Sequence, residues 1–112
     1  LIGGPLCPDG AMATGAEAER AIAAIAADLC LLGACGLWPE FGLSAEDSAE
    51  AGVKRAMARA SARVAVVASA SKLARRGRHH VLALEELDVL VTDAGAAEMA
   101  PFRAAGIEVC HV

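Results

Sequence analysis

Four short apolar runs constrain the fold of this chain more than any other feature of its sequence. They occupy residues 29–32, 64–68, 89–92 and 107–110, and Thr92 and Glu108 are their polar members. Each is too short for a buried helix and long enough for a buried strand. The segments between them exceed the dozen or so residues that a crossover between parallel strands needs. We therefore predict an α/β fold with a mostly parallel sheet flanked by helices, and the spacing disfavours hairpins.

Helix-capping residues, and the glycines and prolines that interrupt helices and strands, predict where the other elements begin and end. Thr14 and Ser44 are predicted to cap the first and second helices, because a hydroxyl oxygen accepts hydrogen bonds from free N–H groups at a helix start. A third helix is expected over residues 98–105, with Gly106 ending it. Leu1 and Ile2 have the character of a strand end, and residues 8–10 that of a turn.

The composition indicates one folded domain. The chain has 112 residues, of which 56% are hydrophobic and 21% charged, and this balance argues against disorder. No apolar run approaches the roughly 18 residues of a membrane span, and no leader peptide is recognisable. The four cysteines (Cys7, Cys30, Cys35 and Cys110) form no CxxC pair. We expect reduced thiols in a cytoplasmic protein, with no metal site and no cofactor.

The positive charges are concentrated in one stretch. The net charge is −4, yet eight of the ten Lys and Arg residues lie between Lys54 and Arg78. Either this stretch is a solvated helix face followed by an exposed loop, or it provides an anion site. A nucleic-acid surface is disfavoured because stacking aromatics are lacking. Trp38 is either a core residue or a contact to a partner subunit.

A ligand site is expected where the strands end. In open α/β sheets ligands bind beyond the carboxyl ends of the strands. Three predicted strands end in small or polar loops, with the candidate residues Gly33, Ala34, Cys35, Gly36, Ser71, Lys72 and Asp93. Glu50 and Lys54 lie one helical turn apart and form either a surface ion pair or part of the cleft. No catalytic motif is present, so no residue is assigned a catalytic role.

Six segments carry a resemblance to a known family: LIGG, TGAEAE, LLGACGL, FGLSAEDSAEAGVKRAM, VAVVASASK and LVTDAG. In this order they resemble the C-terminal, effector-sensing domain of DeoR-type bacterial transcriptional repressors. The resemblance implies a fold similar to ribose-5-phosphate isomerase and glucosamine-6-phosphate deaminase. It also implies binding of a phosphorylated sugar without catalysis, a homo-oligomer, and operator binding through an N-terminal helix-turn-helix. The residues that match the family pattern are Gly33, Gly36, Glu50, Lys54, Ser71, Lys72, Thr92, Asp93 and Gly95, and the resemblance implies an effector site among them.

The chain departs from the family pattern at several points. Ser69 and Ala70 stand where the family usually has Asp and Ser, and Cys35 stands where it has an acidic residue. The family's glycine- and threonine-rich phosphate loop and its helix-turn-helix are not in this sequence. We therefore expect residues 1–112 to be a single sensing domain truncated at its N-terminus. A sugar-phosphate isomerase or deaminase and a ligand-free oligomerisation module are the alternative functions.

Overall fold

The computed structural model describes residues 13–112. The strand end expected at Leu1 and Ile2 and the turn expected at residues 8–10 lie outside this range. Within it, the helices are α1 (Ala16–Ala23), α2 (Ser48–Arg59) and α3 (Ala96–Ala104). The strands are β1 (Ala27–Gly33), β2 (Gly36–Trp38), β3 (Gly42–Ala45), β4 (Ser61–Val67), β5 (His79–Leu82), β6 (Val89–Thr92) and β7 (Glu108–His111).

The main sheet has four strands in the order β1-β4-β6-β7, and every neighbouring pair is parallel. Leu31 is opposite Ala65, and Val67 is opposite Val91. The four strands predicted from the apolar runs are thus confirmed, as is the parallel α/β architecture. Because all four strands run in the same direction, their carboxyl ends meet at one edge, which we call the carboxyl edge.

A second, antiparallel sheet contains a hairpin, which the spacing of the predicted strands had disfavoured. It has the order β2-β3-β5, and β2 and β3 form a hairpin in which Trp38 is opposite Gly42. Gly42 adopts φ +84°, a conformation that side chains rarely tolerate, and a Cβ there would meet the Leu82 carbonyl at 2.1 Å. The hairpin escaped sequence analysis because β2 has only three residues and no visible alternation of apolar and polar side chains.

The expected caps of the first two helices are wrong, whereas the end of the third is confirmed. Gly15 is the N-cap of α1, with no side-chain hydrogen bond, and Thr14 precedes it. Asp47 caps α2 by accepting from the Glu50 N–H at 3.2 Å. Ser44 is instead a fully buried residue of β3. Gly106, at φ +89°, follows the last turn of α3 as predicted.

The core lies on one face of the main sheet. Alternate residues of β1 and β4, such as Leu32 and Val66, pack there against residues of α2 and α3, including Phe102. The opposite face carries Leu29 and Leu31, which are 54% and 60% exposed. Residues 29–32 therefore form a strand as predicted, but one that is buried on a single face.

Candidate functional site

The end of β1 is held to α2 by a buried lysine. Lys54, only 6% exposed, donates from Nζ to the Gly33 carbonyl at 2.8 Å and pairs with Glu50 Oε1 at 3.0 Å. The Cys35 thiol approaches the same Glu50 oxygen at 3.8 Å. Glu50 and Lys54 therefore do not form a surface ion pair. They connect α2 to the loop that follows β1.

The glycines of that loop differ in what surrounds them. A Cβ on Gly36 would meet the Arg75 carbonyl at 2.6 Å, so Gly36 allows close backbone packing. No atom lies within 4 Å of the corresponding position at Gly33. Ala34 packs against the core. Of the two glycines, only Gly33 has open space beside its backbone.

A second polar cluster lies beyond β4 and β6. Asp93 Oδ1 accepts the Ala70 N–H at 2.9 Å, which fixes the 3-10 turn Ala70–Lys72 to the end of β6. The hydroxyls of Ser69 and Ser71 are 3.1 Å apart. Ser71 and Asp93 are exposed, and Lys72 is half-buried. This cluster offers hydroxyl, ammonium and carboxylate groups to solvent at the carboxyl edge.

The sheet register brings the two clusters side by side. Gly33 is opposite Val67, and Val67 is opposite Val91. Neighbouring strands are about 4.8 Å apart. The loops that follow Gly33, Val67 and Val91 therefore emerge next to one another. All the candidate residues from those three loops lie at the carboxyl edge. Glu50 and Lys54 lie beneath the first loop, which follows Gly33.

Ser44 supports this edge and was not identified as a site-supporting residue from the sequence. Its hydroxyl donates to the Gly36 carbonyl at 3.2 Å and accepts the Gly77 N–H at 2.7 Å. It thereby joins the hairpin to the loop that precedes β5. No sequence signal distinguishes it, because a serine before Glu46 and Asp47 also matches a helix cap.

The positive charges do not form a single patch. Arg55 donates to the His80 carbonyl at 2.6 Å. The Arg76 guanidinium lies 4.9 Å from the centre of the Phe41 ring, and that ring makes an edge contact with His80. Arg55, on α2, contacts β5 at His80, and Arg76, in the loop before β5, contacts Phe41 between β2 and β3, whereas Lys54 is buried beneath the end of β1. The structure thus favours separate structural roles for Lys54, Arg55 and Arg76.

The described cysteines are free thiols. Cys30 is buried, Cys35 is half-buried and Cys110 is exposed. Burial raises the pKa of the Cys30 thiol, and a hydrogen bond with Ser61 partly opposes this rise. Cys7 lies outside the described residues. Within residues 13–112, no three His, Cys, Asp or Glu side chains are placed to hold a metal ion.

Comparison with known proteins identifies the family. The family model described as the DeoR C-terminal sensor domain matches residues 1–94. The chain belongs to this family. The α/β architecture with a four-stranded parallel sheet and flanking helices is compatible with that sensor domain.

Two relatives of this sensor domain are named as regulators. The putative aga operon transcriptional repressor of Escherichia coli O157:H7 is 29% identical over 114 residues, covering 100% of this chain and 42% of the repressor. The HTH-type transcriptional regulator GlpR of Haloferax volcanii is 37% identical over 93 residues, covering 83% of this chain and 36% of the regulator. The chain thus spans less than half the length of either relative. Among the described residues, no helix is both long and apolar enough to cross a membrane.

Proposed function

We propose that this chain is the effector-sensing module of a cytoplasmic DNA-binding repressor of carbohydrate metabolism. In this proposal a phosphorylated sugar binds at the carboxyl edge and controls operator binding by an N-terminal helix-turn-helix. Membership of a sensor-domain family and two relatives named as transcriptional regulators support a regulatory role. The name of one relative, an aga operon repressor, is consistent with control of an operon.

The observation that carries the proposal is the convergence of three loops at one edge. Gly33 leaves its backbone accessible, and Ser71 and Lys72 supply a hydroxyl and an ammonium group in the loop that follows the neighbouring strand β4. An ammonium group and hydroxyls suit a phosphate, whereas the Asp93 carboxylate suits sugar hydroxyls. This combination suits a ligand that carries both a phosphate and sugar hydroxyls better than it suits a phosphate or a sugar alone.

The buried residues of the site have a positioning role in this proposal. Lys54 already donates to Gly33 and pairs with Glu50, so it sets the position of the first loop. Glu50, with its side chain 18% exposed, holds Lys54 and contacts the Cys35 thiol. We assign direct contact with the effector to Gly33, Ser71, Lys72 and Asp93.

The same edge is proposed to bind without catalysis. An isomerase or deaminase needs an acid–base pair that converges on the substrate. Here Glu50 is engaged by Lys54, so Asp93 has no free carboxylate from Glu50 as the second member of such a pair. Incubation of the chain with pentose and aminohexose phosphates is expected to give no isomerisation or deamination above background. Turnover that disappears in Glu50→Gln would instead establish the enzyme alternative.

A charge-matched pair of variants tests the binding proposal. Lys72→Ala removes the ammonium group at the carboxyl edge, whereas Arg103→Ala removes an exposed cation from the last turn of α3. We expect Lys72→Ala to weaken sugar-phosphate binding by more than about tenfold, the scale of one charge-assisted hydrogen bond. Arg103→Ala should change the affinity for sugar phosphate by less than about twofold. NMR titration measures both affinities, and equal losses in the two variants would contradict the assignment of Lys72.

A second candidate function, self-association, is favoured by the exposed face of the main sheet. Leu29, Leu31 and Val67 are 54%, 60% and 44% exposed on adjacent strands. Among residues 13–112, β1 is also an edge strand of the main sheet, and edge strands can pair with another chain. We propose that this face brings two copies of the chain together.

A further inference from the structure

A cleft adjoins the carboxyl edge between the hairpin turn and α3. Its volume is about 320 Å³. Trp38, at the end of β2, forms one wall and is 38% exposed. Leu73 and Phe102, both buried, contribute the apolar part of the lining. From the sequence, Trp38 is either a core residue or a contact to a partner subunit. In the structure it lines a cleft.

The cleft and the proposed effector site share a wall. Ala70 lines the cleft, and its N–H is the group that Asp93 accepts at 2.9 Å. Ser69 and Ser71, the neighbours of Ala70, carry the paired hydroxyls of the carboxyl edge. Ser71 therefore directly follows a residue that lines the Trp38 cleft.

The charges of the cleft determine which part of a sugar phosphate it accepts. Glu40 and Glu98 line it, and no lining residue is a Lys or Arg. Glu98 is held in place because its Oε2 accepts the Gly95 N–H. Two carboxylates repel a phosphate and accept hydrogen bonds from hydroxyls or an amino group. An indole face packs well against the C–H groups on one side of a sugar ring. Lys72, the cation of the adjoining turn, is not part of the lining.

We propose that the Trp38 cleft receives the ring of the effector while its phosphate stays outside, at Ser71 and Lys72. The inference rests on the proposed function and adds the orientation of the ligand and the residue that recognises its ring. A volume of about 320 Å³ is at the small end of ligand pockets, which range from roughly 300 to 1,000 Å³. The cleft therefore accepts a single sugar unit.

Intrinsic fluorescence tests this orientation directly, because Trp38 is the single tryptophan of the chain. Ribose 5-phosphate, glucosamine 6-phosphate and galactosamine 6-phosphate serve as probes, alongside the same sugars without phosphate and inorganic phosphate alone. We expect at least one sugar phosphate to give a saturable change in Trp38 emission. The matching free sugar should give the same change at higher concentration, and inorganic phosphate should give none.

Substitutions at Trp38 distinguish binding of the sugar ring from binding of the phosphate. Trp38→Ala should weaken binding of the responding sugar phosphate by roughly five- to tenfold, with Trp38→Phe recovering most of the loss. Binding of inorganic phosphate, measured by NMR, should stay within about twofold. Phe41→Ala is the matched control, since Phe41 follows Trp38 in the same turn but contacts Arg76 and His80. It should leave sugar-phosphate binding unchanged.

The outcomes distinguish this inference from the proposed function. If NMR shows that sugar phosphates bind while Trp38 emission and the Trp38→Ala affinity stay unchanged, the inference is wrong and the proposed function stands. If Trp38→Ala weakens binding of inorganic phosphate as much as binding of sugar phosphate, Trp38 stabilises the whole carboxyl edge. The proposed orientation of the ligand is then wrong. If neither sugar phosphates nor phosphate bind the unmodified chain, both proposals fail.

Discussion

At the scale of single residues, Lys54 shows how a charged side chain is kept inside this fold. Burial of an ammonium group is costly unless a counter-charge and hydrogen bonds compensate for it. Glu50 supplies the charge at 3.0 Å, and the Gly33 carbonyl supplies an acceptor at 2.8 Å. The pair therefore couples the position of the first loop of the carboxyl edge to α2.

Lys54→Met keeps the length of the side chain and removes its charge. The Glu50 carboxylate, 18% exposed, would lose its partner in a largely dry environment. We expect a loss of about 2 to 3 kcal/mol in the free energy of unfolding, measured by urea denaturation. Arg59→Met removes an exposed charge from the same helix and should cost less than about 0.5 kcal/mol. Similar losses in both variants would show that Lys54 does not stabilise the fold through its pair.

At the scale of secondary structure, two glycines near the hairpin have opposite roles. Gly42 lets the chain turn into β3 at φ +84° against the Leu82 carbonyl. Gly33 ends β1 with open space beside it and pairs with Val67. The first glycine is required by the backbone, whereas the second leaves room for a ligand.

Alanine substitutions separate these two roles. Gly42→Ala should lower the free energy of unfolding by about 2 kcal/mol or more, because both the backbone conformation and the contact at 2.1 Å are unfavourable. Gly33→Ala should change stability by less than about 1 kcal/mol while weakening sugar-phosphate binding. Thermal unfolding and NMR titration give the two quantities. Normal stability in Gly42→Ala, or a Gly33→Ala chain that binds as before, would contradict this account.

The main sheet was predictable from the sequence, and the hairpin was not. The apolar runs at 64–68 and 89–92 correspond to β4 and β6, the two central strands of the main sheet, and their apolar composition was sufficient to predict them. β2 has three residues, and its pairing with β3 depends on a turn conformation at Gly42 that leaves no distinctive pattern. The cap at Ser44 was wrong for a related reason, because β3 extends as far as Ala45.

The candidate site was predictable as a set of loops but not in its internal contacts. The rule that ligands bind beyond the carboxyl ends of strands placed Ser71, Lys72 and Asp93 at one edge. The sequence could not show that Lys54 is buried, since i to i+4 spacing is equally compatible with an exposed pair. It also could not show the cleft at Trp38, because that cleft forms between the hairpin turn and α3.

At the scale of the whole molecule, the apolar face of the main sheet is the feature that most affects behaviour in solution. Leu31→Lys places a charge in the middle of this face, next to Ala65 on β4. We expect the unmodified chain to self-associate and the variant to be monomeric in sedimentation at matched concentrations, because the charge opposes burial. Ala104→Lys adds the same charge at an exposed position of α3 and should behave as the unmodified chain. Association that survives Leu31→Lys would place the interface elsewhere.

Residue-resolved NMR can detect binding of a phosphorylated sugar at the carboxyl edge of the sheet. Amide shifts of the chain are followed during titration with ribose 5-phosphate and the two aminohexose phosphates. Affinity is expected on the order of millimolar, because Lys72 and the neighbouring hydroxyls offer only a few hydrogen bonds to the phosphate. We predict saturable shifts that cluster at Gly33, Ser71, Lys72 and Asp93. The absence of saturable shifts, or shifts that cluster on α1 and α2 and not at these four residues, would show that the sugar phosphate does not bind at the carboxyl edge.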